Sequence, residues 1–268
     1  MLLTAKVGVA GLVVALTAGL TAPAAVAASS SERRAPAYKA SLAVSSPKVL
    51  SGDRIVLAGK VSPALKGGTV ILQKRVAGAS KWATEARLKT TKRSTFRYAD
   101  KPTRAGVRQY RVVVPKSRKA RVGVSKAVTV TVYQWRPLTS MSYRKADSTQ
   151  IGYATINARP YRDSYIPTYQ TSHGSIDWNI NPACVRPQAH VGNGDESDQG
   201  ATANVVLSAD GAQLYAGSFG LTQSDYVSFS TRGVFRLAYS WTSTLPGSSV
   251  SQLGAQPVFA DPQLLCSF

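Results

Sequence analysis

The densest run of residues that could do chemistry is Val191-Gly192-Asn193-Gly194-Asp195-Glu196-Ser197-Asp198-Gln199-Gly200, which packs carboxylates, amides and a hydroxyl into one short stretch. Runs rich in oxygen donors suit a hard cation such as calcium, which gathers about six to eight oxygen ligands. Counted from Asn193, a calcium-hand loop finds its donors at Asn193, Asp195 and Ser197, but Asp198 stands where it requires glycine and Asn204 where it requires glutamate. A looser structural calcium site on Asn193, Asp195, Glu196 and Asp198 is the metal expectation, and a hydrated turn shaped by Asp195 is its alternative. Paired carboxylates can also hydrolyse glycosidic bonds. Asp177, Asp195, Glu196, Asp198 and Asp210 supply them, yet their order sets no separation across a sugar.

Nucleophilic catalysis has less to draw on. The chain has two histidines, His173 and His190. A Ser-His-Asp hydrolase would need one of them as base, and no G-x-S-x-G elbow accompanies either. His190 falls in a strand-like run and reads as a structural residue, while His173 reads as exposed in a polar loop. The expectation is therefore a protein without enzymatic activity or cofactor. Sugar binding asks for something else: an aromatic face against the apolar side of a pyranose and polar groups for its hydroxyls. The stretch ARPYRDSYIPTYQTSHG, residues 158–174, offers Tyr161, Tyr165 and Tyr169 among polar neighbours as the best exposed candidate. With Trp178 and Asp195 they form the ligand-binding expectation, core filling being the alternative for Trp178.

These residues need a frame. The chain opens with a lysine at position 6, an apolar run and Ala25-Val26-Ala27, the pattern of a secretory signal peptide over residues 1–27. No later stretch has the roughly 18 apolar residues of a spanning helix, so the mature chain is expected to be secreted, extracellular or loosely associated with a cell wall. In an oxidising compartment Cys184 and Cys266 should pair. Charge divides the chain: residues 32–135 hold 24 Lys or Arg against four acids, whereas residues 136–268 hold eight against nine. That change places a boundary near Trp135-Arg136-Pro137-Leu138.

The basic half reads as short strands at 54–61, 69–76, 82–90, 94–99, 107–115 and 126–135, with turns at SGD, LKGG, TRAG and PKSR. Trp82, Thr84, Ala86 and Leu88 alternate with Glu85, Arg87 and Lys89 as two faces of a strand. Six or seven strands in this span match a two-sheet sandwich. Lys74, Arg75, Arg87, Lys89, Lys92, Arg93, Lys116, Arg118, Lys119 and Arg121 supply an electrostatic surface suited to an anionic wall polymer, with solvated strand faces as the alternative. No zinc-finger, helix-turn-helix or aromatic-ladder pattern points to specific nucleic-acid binding.

The neutral half reads as strands at 153–157, 176–180, 187–191, 202–209, 212–219, 225–231, 234–243 and 255–266. Asp210-Gly211 between two alternating runs is a tight hairpin signal. Pro257 and Pro262 argue that the last segment is an edge strand or two short pieces.

The segments SPKVLSGDRIVLAGKVSPALKGGTVILQKRV, KWATEARLKTT, GVRQYRVVVP and AVTVTV resemble the immunoglobulin-like or fibronectin-like accessory domains of secreted actinobacterial proteins. That resemblance implies that Tyr110 locks its strand to a neighbouring loop and that Trp82 fills the core. The stretch from IDWNINPACVRPQAHVGNGDESDQG through ANVVLSADGAQLYAG, with the closing PVFADPQLLC, is similar to NPCBM-type carbohydrate-binding domains, related to galactose-binding jelly rolls. His190-Val191-Gly192, Asp195, Asp210-Gly211 and Leu214-Tyr215 occupy that family's turn and strand positions. The expectation is an all-β chain, an N-terminal immunoglobulin-like β-sandwich followed by a C-terminal jelly-roll β-sandwich. Its segments are the signal peptide 1–27, a flexible start 28–40, a basic domain 41–135, a linker with first strands 136–169 and a disulfide-tied module 170–268. The function expected is non-catalytic binding of a cell-wall glycan or other extracellular polysaccharide. A structural or protein-interaction role and a secreted glycoside hydrolase are the rivals.

Overall fold

The computed structural model describes residues 35–168, 171–244 and 254–268. The signal-peptide reading of residues 1–27 and the residue Tyr169 lie outside them. Residues 36–268 form one compact unit. Its first strands are β1 (Lys39–Ala40), β2 (Ala43–Val44), β3 (Lys48–Leu50), β4 (Ile55–Ser62), β5 (Thr69–Val76), β6 (Ala83–Lys89), β7 (Thr95–Asp100), β8 (Gly106–Val114), β9 (Gly123–Val124) and β10 (Val128–Pro137). After a short 3-10 turn at Leu138–Ser140 come β11 (Lys145–Asp147), β12 (Thr149–Ile156), β13 (Arg159–Pro167), β14 (His173–Asn179), β15 (Cys184–Asn193), β16 (Thr202–Ala209), β17 (Ala212–Phe219), β18 (Ser224–Ser228), β19 (Arg236–Thr244) and β20 (Pro257–Cys266).

The strands make three sheets in sandwich-like packing. A four-stranded sheet of β1, β4, β2 and β7 faces part of an eleven-stranded sheet, and a five-stranded sheet in the order β11-β14-β19-β16-β17 faces the rest of it. The large sheet runs β12-β13-β20-β10-β8-β5-β6, with β15 and β18 continuing from β20, β3 beside β10 and β9 beside β8. Two main cores result from the alternation of apolar residues along these strands. Ile55, Leu57, Val70, Leu72, Tyr110, Val112, Val130 and Val132 belong to the first. Trp178, Val191, Val205, Leu207, Leu237, Tyr239, Phe259 and Leu264 belong to the second. The strand β10 crosses the compositional boundary at residues 135–138 without a break. It pairs with β8 and β3 through residues 128–133 and with β20 through Gln134↔Cys266, Trp135↔Leu265, Arg136↔Leu264 and Pro137↔Gln263.

Order also begins ahead of residue 41. Tyr38 is buried in the first core, its hydroxyl is 2.7 Å from Ser117 Oγ, and Ala37 bridges to Arg121. Tyr110 does tie elements together: its hydroxyl donates to Asp100 at the end of β7, in the facing sheet, and Asp100 Oδ1 accepts the Lys101 N–H at 2.7 Å. Burial and the neighbouring carboxylate push the Tyr110 phenol well above its ordinary range. Trp82 does not fill the core. Opposite β5, Gln73 pairs with Thr84 and Leu72 with Ala86, so Glu85 is an extra residue, a bulge that reverses the facing of everything before it. Trp82 accordingly stands half-buried on the outer face, its ring centroid 4.8 Å from the Arg75 guanidinium and 4.2 Å from that of Arg111.

The closing segment is neither the edge strand nor the two short pieces expected, but one strand. β20 is flanked by β13, β10 and β15, the most central strand of its half. Pro257 sits at its first position, and Pro262 follows Asp261, whose φ of 44° marks a bulge where the pairing with β15 shifts. A strand start and a bulge are the places where a missing N–H costs no ladder bond. Cys184 and Cys266 face one another across β15 and β20 and are joined in a disulfide spanning 82 residues. The Asp210-Gly211 turn forms as its sequence implies, with φ of 48° and 86° between β16 and β17.

Candidate functional site

The acidic run is a structural junction. Asn193 is fully buried, its Oδ1 accepting the Gln256 N–H at 3.0 Å and its Nδ2 donating to Ala201 O at 3.3 Å. The Ser197 hydroxyl lies 2.6 Å from Asn193 Oδ1 and accepts the same Gln256 N–H at 2.8 Å. Glu196 Oε2 accepts from Gln256 Nε2 at 3.0 Å, and the Asp198 N–H donates to Gly254 O at 2.7 Å. A Cβ at Gly194 would sit 1.8 Å from Gln256 Oε1, so a larger residue there has to displace the Gln256 side chain that bonds Glu196.

Asp195 points elsewhere. Its two oxygens accept the N–H groups of Asn157 at 2.6 Å and Ala158 at 2.8 Å, the two left-handed residues (φ 52° and 60°) of the tight turn joining β12 to β13. The turn it shapes is thus not its own but one 38 residues upstream. Of the four residues of the calcium expectation, Asn193 and Glu196 direct side-chain oxygens to Gln256 and Asp195 to the Asn157-Ala158 turn, while Asp198 is held through its backbone. Among the described residues no group of three or more His, Cys, Asp or Glu could hold a metal ion.

Tyr161 and Tyr165 of the ligand-binding expectation are buried, because residues 159–167 form a strand and not a polar loop. Tyr165 is 1% exposed, its ring 5.3 Å from that of Trp178, which is 0% exposed, and its hydroxyl donates to Leu138 O at 3.2 Å. Tyr161 is 2% exposed but on the other side of the sheet. Opposite Tyr153, Arg162 and Asp163 share one place, a bulge that turns Tyr161 away from Tyr165 despite their even spacing. Tyr161 packs in a small separate cluster with Ala154, Ile156, Val258 and Ala260, while the intervening Phe259 enters the second main core.

Tyr161 leads to a row of groups that the sequence did not single out together. On β15, Ala189 and Val191 enter the core, so Gln188 and His190 look outward. The His190 ring is 5.4 Å from that of Tyr161 and 5.2 Å from that of Tyr226, its cross-strand partner on β18. Tyr226 is 58% exposed and donates its hydroxyl to Gln188 Oε1 at 2.9 Å; Gln188 Nε2 donates in turn to Gln263 Oε1 at 3.0 Å. The Arg159 guanidinium lies 5.1 Å over the Tyr161 ring. Burial, then the Arg159 charge, hold the His190 imidazole below its ordinary pKa, against the opposing pull of Asp261. A neutral imidazole keeps one donor and one acceptor. The row therefore offers an exposed aromatic ring, an imidazole and two coupled amides on one open sheet face. Among the described residues neither His190 nor His173 forms a side-chain hydrogen bond to a hydroxyl or thiol.

The cations of the first half are partly engaged. Lys74 pairs with Glu85 at 2.6 Å, Arg75 donates to Gln109 Oε1 at 2.6 Å and Lys89 to Thr69 Oγ1 at 3.1 Å. Arg87, Lys92, Arg93, Lys116, Arg118, Lys119 and Arg121 are exposed. No helix among the described residues is long and apolar enough to cross a membrane.

No known family matches the chain, and no curated protein resembles it. Solved structures resemble it at low identity. CBM51 from Clostridium perfringens GH95, in complex with methyl-galactose, has 14% identity over 48% of this chain and 99% of its own, with a TM-score of 0.40. The M60 catalytic domain with CBM51-1 and CBM51-2 from Clostridium perfringens ZmpB has 10% identity over 85% of this chain, with a TM-score of 0.40; this chain spans only 31% of that one. The PKD domain from human KIAA0319 has 21% identity over 40% of this chain and 89% of its own, with a TM-score of 0.26. The class defined by the fold is an all-β protein of sandwich-like layers with a disulfide.

Proposed function

We propose that the protein is a secreted, non-catalytic carbohydrate-binding protein, its first half an immunoglobulin-like sandwich and its second a jelly roll, active outside the cell or at a cell wall. The observation that carries this reading is the Tyr226-His190-Tyr161 row with the Gln188-Gln263 amide pair. An aromatic ring flanked by amides matches a pyranose, which has an apolar face and a rim of hydroxyls. The excess of 24 basic over four acidic residues in positions 32–135 supports a second, electrostatic contact with an anionic surface polymer.

Glycan-array binding tests the assignment. Wild-type protein is expected to retain selected sugars at about 0.5 M salt, where long-range charge attraction is screened. Tyr226→Ala, at an exposed position, should weaken that binding about tenfold or more with an unchanged unfolding midpoint. Binding confined to anionic polymers at low salt and indifferent to Tyr226→Ala would leave the sugar reading without support and favour the electrostatic contact alone.

A further inference from the structure

The register of β10 places both cores on one side of the large sheet. Val130 and Val132 face the first core; Gln134 and Arg136 continue on their side and pair with Cys266 and Leu264, which face the second. The alternate residues Thr131, Tyr133 and Trp135 therefore look to the other side, as do Leu265 and Gln263 of β20. Gln188 and His190 share the side of Gln263, to which Gln188 is hydrogen-bonded. The outer surfaces of the two halves are thus one face of one sheet.

A cavity of about 320 Å³ opens where that face crosses from one half to the other. Lys48, Leu50 and Tyr133 line it from the first half, Arg186, Arg232 and Leu265 from the second. Among the described residues, no side chain or carbonyl accepts a hydrogen bond from the Lys48 ammonium or the Arg186 and Arg232 guanidiniums, and none pairs with them as an ion. The carboxylate in the lining, Asp53, is turned to the Leu50 N–H at 3.0 Å. Three cations without partners among the described residues thus surround an open space walled by Tyr133, Leu50 and Leu265.

We propose that this cleft is a subsite for the carboxylate groups of an acidic polysaccharide whose chain continues along the same face to the His190-Tyr226 row. This extension rests on the sugar-binding reading of that row. Guanidinium forks match planar carboxylates in bidentate geometry, and the apolar walls cover the face of a sugar ring. A nucleic acid fits less well, because stacking of successive bases needs a series of exposed rings, and the cleft presents Tyr133 alone among its lining residues.

Calorimetric titration of the full-length mature protein at about 0.15 M salt tests it with oligogalacturonate, its fully methyl-esterified form and single-stranded DNA of matched charge. Wild type should bind the acid about tenfold more tightly than the ester. Arg186→Gln with Arg232→Gln, both at exposed positions, should abolish that preference while leaving ester binding intact; Tyr226→Ala should weaken acid and ester alike. The proposal is overturned if wild type does not bind the acid, if the arginine variant keeps the wild-type preference, or if DNA binds as tightly as the acid. Loss of the preference in the arginine variant, together with no effect of Tyr226→Ala on either oligomer, would uphold the cleft and remove the row from the binding surface.

Discussion

Replacing Asp195 by alanine removes both acceptors from the Asn157-Ala158 turn. Hydrogen bonds to a charged group contribute about 1.5–3 kcal/mol each when shielded, but both donors here are exposed and regain water, so about 1–2 kcal/mol for the pair is the expected loss. At roughly 2–4 °C per kcal/mol for a chain of this size, the unfolding midpoint should fall by about 2–8 °C. Asp195→Asn keeps one acceptor oxygen and should show about half the change. Amide exchange at residues 157 and 158 should accelerate in parallel, since the carboxylate is what holds them. Thermal and urea unfolding of each variant in chelator and in calcium completes the assay. An unchanged midpoint in Asp195→Ala would refute the capping role. A calcium-dependent rise in wild type that vanishes in the variant would show that the carboxylate serves an ion instead.

Replacing both Cys184 and Cys266 by alanine releases a loop of 82 residues, for which chain entropy gives about 4.5 kcal/mol; urea midpoints should show most of that loss, and a difference below about 1 kcal/mol would contradict it. Tyr110→Phe strands the Asp100 carboxylate beside the first core and should cost about 1–3 kcal/mol by urea unfolding. His190 titrates below its ordinary value of 6.5, so the unfolded chain takes up a proton first as pH falls. Its contribution is complete above that value and is lost downward until the folded imidazole also protonates; His190→Gln should flatten this part of the stability profile measured against pH. Gly194→Ala forces its methyl into Gln256 Oε1 and should destabilise by about 1–3 kcal/mol, visible as a lower urea midpoint.

Regular alternation was readable where nothing interrupted it. The alternating strand at 202–209 and the Asp210-Gly211 turn follow from side-chain period and from the backbone geometry that aspartate and glycine tolerate. The misplacements of Trp82, Tyr161 and the Pro262 segment share one cause. Each adjoins a bulge, at Glu85, at Arg162-Asp163 and at Asp261, and a single extra residue moves all side chains before it to the opposite face. Composition offers no marker for such an insertion. The His190-Tyr226 row was hidden for another reason: its members come from different strands, and only the pairing of β15 with β18 and β20 brings them together.

The strand shared by the two halves makes residue 135 a poor place to cut. A fragment beginning at Arg136 would lose Gln134 and Trp135, the partners of Cys266 and Leu265, and would expose an open ladder edge directly beside the disulfide. Such an edge invites pairing between copies, so fragments divided there would report aggregation in place of function. Dissection of this chain by point substitution keeps the seam closed.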